Sequence, residues 1–223
     1  MIELKKRLGL LILLVLSLGI VMAGCSVVGT GEINPPESEI TPGSCEMLDV
    51  NELSPQIKHL LREYLYWSPY LKPAHSISRW PCGTIYVYDE TRYEKTQELL
   101  NLANQLIAGP TVFKLTNNPE KAKIAIVFRE GTPSEVYLGE IWPDEITAEL
   151  LKVTVYIPTI IGEAEVYNTY FFRMMEMIFF ATGVFRNTEE IELLRSGIIP
   201  ENWKMVIYYG YRLPIGTEID PNW

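Results

Sequence analysis

The spacing of hydrophobic residues changes along this chain, and each change marks an element. Residues 8–23 are apolar almost without a break; only Gly9, Ser17 and Gly19 intervene. Residues 26–43 are rich in Gly, Pro, Ser, Thr and Glu, with few large apolar side chains. Ile57, Leu60, Leu61, Tyr64 and Leu65 then recur at helical spacing, behind a Ser54-Pro55 start. Residues 84–88 (TIYVY) predict a strand. Residues 91–108 predict an amphipathic helix with Leu99, Leu102, Ala103, Leu106 and Ile107 on one side, stopped by Gly109-Pro110. Residues 111–115, 123–128 and 152–157 read as further strands, and 129–149 as an edge excursion. Residues 163–183 form the longest helical candidate. They are apolar on nearly every face, which predicts a buried central helix. Glu163, Glu165, Arg173 and Glu176 argue against a membrane span there.

This order predicts an α/β (α+β) domain, a twisted mixed sheet with a long buried helix. With 223 residues, 48% of them hydrophobic and 21% charged, the chain is long enough for a sizeable core. No second linker follows residues 26–43, so one globular domain is expected over residues 45–223. The formal net charge of −9 argues against an electrostatic nucleic-acid binder.

The N-terminus changes the picture again. Lys5, Lys6 and Arg7 precede the apolar run, as in an export signal. The run has 16 residues, short for a membrane span. It ends in Met22-Ala23-Gly24-Cys25, which resembles the lipobox of bacterial lipoproteins with Met22 where Leu is usual. The resemblance implies a signal peptide over residues 1–24, a lipid on Cys25 and a flexible tether over residues 25–44. The domain is then extracytoplasmic and lipid-anchored to a cell membrane or envelope. An uncleaved anchor helix is the other reading. Loss of residues 1–24 leaves 16 basic and 27 acidic side chains, a charge of −11. Such a surface is repelled by anionic headgroups, so the membrane is held through the lipid. Cys45 and Cys82 remain as an even pair in an oxidising compartment. They predict one disulfide, with two separate thiols as the alternative. No Cys-x-x-Cys pair suggests zinc.

Residues 80–220 also resemble the metzincin-like zinc peptidases, above all matrixin-type catalytic domains. A strand and a long helix come first. Ala122-Lys123-Ile124-Ala125-Ile126 stands where that family has an alanine-aspartate-isoleucine type strand, and a further strand precedes the active-site helix. Towards the C-terminus, residues 200–209 and 213–217 resemble the helix and turn that close such domains. In the family, the active-site helix carries His-Glu-x-x-His-x-x-Gly-x-x-His/Asp. Histidines four apart share one helical face and reach one zinc, and the glutamate activates its water. With the glycine aligned on Gly183, the first ligand position is Glu176 and the base position is Met177. The second and third ligand positions are Phe180 and Arg186. Met and Phe offer no hard donor, and Arg repels a cation. No histidine follows His75. The resemblance thus implies a degenerate site, as in lipoproteins of metzincin-like layout with non-histidine active helices. Neither a metal nor a cofactor is expected, and the domain is read as a binding or structural module with an envelope protein or peptide as partner.

The remaining chemistry stays open. Glu176 reads as a functional carboxylate or as the partner of Arg173. His59 and His75 have no obvious third ligand. Glu189, Glu190 and Glu192 read as a solvated face, with calcium or a divergent hydrolase role alongside Glu176 as alternatives. No Gly-x-Ser-x-Gly elbow, phosphate loop or dinucleotide fingerprint is present.

Overall fold

Alternating burial along the strands sets the architecture. In the computed structural model, which describes residues 47–65, 75–179 and 188–223, five strands form one sheet. They are β1 (Gly83–Asp89), β2 (Thr111–Leu115), β3 (Ile124–Arg129), β4 (Gly139–Pro143) and β5 (Leu150–Pro158), in the order β2-β1-β3-β5-β4. Four run parallel; β4 is antiparallel to β5 at one edge. The expected mixed α/β sheet is present, and the edge excursion contains β4.

The buried aliphatic and aromatic side chains of β1, β2 and β3 lie on one face, with Val153, Val155 and Ile157 of β5. Ile85 pairs in register with Phe113, Val87 with Ile124, Ile124 with Val153, and Ile126 with Val155, and all of these are buried. Helices α1 (Pro55–Leu65), α2 (Thr96–Ile107), α3 (Val166–Phe179), α4 (Thr188–Arg195) and α5 (Glu201–Gly210) supply the rest of the core. Ser54 caps α1, its hydroxyl accepting from the Ile57 N–H, and Ile57, Leu61 and Leu65 point inward as their spacing predicts.

Two boundaries differ from expectation. Helix α2 starts at Thr96, not at residue 91. The Asp89 carboxylate accepts from the N–H groups of Thr91, Arg92 and Tyr93 and from the hydroxyls of Thr91 and Thr96. That collar holds residues 90–95 as a loop, with Arg92 left-handed at φ 55°. Residues 163–165 form a 3₁₀ turn ahead of α3.

Three buried arginines tie the layers together through main-chain carbonyls. Arg79 donates to the carbonyls of Trp80 and Leu213. Arg212 donates to those of Ile107, Ala108 and Tyr208, neutralising the carbonyl end of α2. Arg173 is the third. All described residues belong to one compact unit, Glu37–Trp223. Among them no helix is long and apolar enough to cross a membrane. The apolar run, Cys25 and Cys45 lie outside the described residues, as do Phe180, Gly183 and Arg186. Cys82 is half-buried just ahead of β1.

Candidate functional site

The long apolar helix is positioned by its arginine. Arg173 is buried and donates from Nη1 to the carbonyls of Tyr137 (3.0 Å) and Tyr156 (2.8 Å). From Nη2 it donates to those of Pro133 (3.0 Å) and Val136 (2.8 Å). It therefore locks α3 to β5 and to the loop that precedes β4. On the outer side of that loop the Arg129 guanidinium lies 4.6 Å from the ring centres of both Tyr137 and Tyr156. Both phenols donate to Glu140, at 3.0 and 2.7 Å. These bonds, Tyr156 first, hold the Glu140 carboxyl below its ordinary range. The loop is pinned from inside and outside, so β4 is presented as a fixed edge. No described strand pairs with its outer side.

Glu176 sits one turn further along α3. It is not the partner of Arg173, because the guanidinium is spent on carbonyls. The residue is 7% exposed, and its Oε2 is buried with no hydrogen-bond partner. Burial pushes the carboxyl up to about 8, with Arg195 and Arg173 pulling it back only in part. At neutral pH it is mainly a neutral acid. Met177 follows it on the helix. Among the described residues no three His, Cys, Asp or Glu side chains converge.

The acidic cluster is not simply a solvated face. Glu190 accepts from the Tyr64 hydroxyl at 2.5 Å and from Trp203 Nε1 at 3.3 Å, joining α4 to α1 and α5. Glu192 pairs with Arg195 at 2.7 Å. The sequence shows acidic residues here but not the helix, α4, that puts one of them to docking. His59 is exposed on α1 beside Arg62, and His75 is in a left-handed turn at φ 62°.

Two hollows flank α3. One, of about 500 Å³, lies against the pinned loop and is lined by Ser134, Leu138, Asn168, Phe172, Arg173 and Arg195. The other, of about 440 Å³, opens at the carboxyl ends of β1, β3 and β5, with Tyr93, Phe128 and Tyr170 in its wall. The sheet order reverses between β1 and β3, the place where open α/β sheets commonly take ligands. Tyr93 and Tyr170 stack there at 4.0 Å.

Comparison with protein-family models, with curated proteins and with solved structures finds no match to this chain.

The geometry can present an edge strand, two shallow hollows and one buried neutral acid. A lone protonated carboxyl can donate a proton. The charged groups that act on Glu176 are Arg195 and Arg173, both cations, and neither is a base that could take that proton.

Proposed function

We propose that this chain is a lipid-anchored cell-envelope protein whose domain is a catalytically inactive, metzincin-like binding module. The observation that carries the reading is the antiparallel edge strand β4, whose preceding loop is pinned to α3 by Arg173. An extended peptide adds to such an edge through main-chain hydrogen bonds. The element order supports the resemblance: strand, long helix, strands, edge strand, strand, buried helix and C-terminal helix. Glu176, at the first ligand position, is buried and mainly neutral, a poor state for holding a cation. Met177 stands at the base position.

The lipid and the module are tested separately. Mass spectrometry of the mature N-terminus is expected to find a lipid-modified Cys25, and Cys25→Ser is expected to release the protein from the membrane fraction. For the module, hydrogen exchange at residues 139–143 is expected to slow when the envelope partner is bound, and Ile141→Pro is expected to abolish that binding. Specific hydrolysis that disappears in Glu176→Gln would replace the inactive module with a divergent hydrolase.

A further inference from the structure

A parallel sheet is normally covered on both faces. Here the described helices pack on one face only, and the other carries a row of side chains that runs across all five strands. Tyr86 lies in register with Lys114, and Trp142 with Lys152. Lys123 joins the two pairs: its N–H donates to the Tyr86 carbonyl, and its own carbonyl accepts from the Val153 N–H. It directly precedes Ile124, which is in register with Val87 and Val153, so it stands beside Tyr86 and Lys152. The row reads Lys114, Tyr86, Lys123, Lys152, Trp142, and all five are exposed. At one strand spacing per step it is about 19 Å long.

Three features set this row apart. None of the three lysines is within ion-pair distance of a described carboxylate, although the chain holds 28 acidic residues. Lys123 and Lys152 are direct neighbours, an arrangement that costs stability. The Lys152 ammonium lies 5.7 Å from the Trp142 ring centre, so one cation is already held against an aromatic face.

We infer that this row is a docking surface for a linear anionic polysaccharide laid across the strands. Like-charged lysines on adjacent strands are stabilised by an anion that bridges them. Tyr86 and Trp142 are three strands apart, about 14 Å, and bracket the adjacent lysine pair. Their ring faces suit the C–H faces of sugar rings roughly three units apart. Peptide is disfavoured, because every main-chain group on this face is spent inside the sheet and none is left for a peptide backbone. A planar anionic membrane is disfavoured by width. The next row is Tyr88, Ala125, Thr154 and Glu140, and Glu140 is held ionised by its tyrosines. This surface is independent of the edge of β4 and does not rest on the peptide-binding reading.

The test uses the full chain with polygalacturonate, its fully methyl-esterified form, poly-glutamate, a single-stranded oligonucleotide and anionic phospholipid vesicles. Polygalacturonate is expected to bind with salt-sensitive affinity, at least tenfold tighter than the ester or any other probe. The Lys114→Gln/Lys123→Gln/Lys152→Gln variant is expected to lose at least tenfold in affinity while its melting temperature stays level or rises. Tyr86→Ala/Trp142→Ala is expected to lose several-fold with the salt dependence kept. Equal binding of the ester, unchanged binding by the triple-lysine variant, or tighter binding of poly-glutamate, the oligonucleotide or the vesicles overturns the inference.

Discussion

The two faces of this sheet are made from the same strands, one residue apart, and they obey different rules. On the covered face Ile85, Val87, Phe113, Ile124, Ile126 and Val155 are excluded from water, and burial of apolar area is the dominant gain. Polar groups that enter this side must be answered by the protein. Arg173 is answered by four carbonyls; Glu176 is not answered and keeps its proton. On the open face Lys114, Lys123 and Lys152 are exposed and form no close ion pair with a described carboxylate; Glu140 acts on Lys152 only from beyond ion-pair distance. The contrast teaches that polar side chains hold the fold together where water is absent, and are free to serve a ligand where it is present.

The largest effect should come from Arg173→Met. It strips four carbonyls of their donor and releases the loop before β4. A loss on the order of 5 kcal/mol is expected, enough to unfold a domain of ordinary stability. A urea midpoint close to that of the parent would show that water or another donor replaces the guanidinium. Next, Phe113→Ala on the covered face should cost about 4 kcal/mol. Tyr86→Ala, on the neighbouring strand but the open face, should cost under about 1 kcal/mol. Equal costs in denaturant melts would erase the distinction between the faces.

The third effect is a pH slope. The Glu176 carboxyl holds its proton up to about pH 8 in the folded state and releases it near 4.5 when unfolded. Between these values the folded state binds more protons, so stability is greatest below about pH 4.5 and falls as pH rises. The fall levels off above about pH 8, after a loss of up to about 5 kcal/mol. Glu176→Gln should flatten this contribution, and an unchanged slope in that variant would place its origin elsewhere. The smallest effect belongs to the open face. Lys123→Gln/Lys152→Gln removes a pair of like charges on adjacent strands and should raise stability by a few tenths of a kcal/mol. A clear drop in melting temperature would mean that these lysines make contacts that the row does not suggest.

Much of this arrangement is legible in the primary structure. The periods of residues 84–88, 111–115 and 152–157 place three strands, and the all-round apolarity of α3 reports its burial, because both follow from local spacing. The start of α2 does not: Asp89 is an ordinary acid until its five hydrogen bonds show it organising a loop. Nor does the role of Arg173. Its spacing from Glu176 suggests an ion pair, but carbonyls from distant residues 133–137 and 156 compete for its N–H groups and win. Glu190 looks solvated until α1 and α5 bring Tyr64 and Trp203 to it.

The sequence by itself determined which segments are extended, which are helical and which faces seek burial, because hydrophobic spacing acts between near neighbours. Tertiary structure alone decided the strand order, the pinning of the loop before β4, the isolation of Glu176 and the row of lysines and aromatics. Each joins residues from different elements, and register between strands has no signature in any one of them.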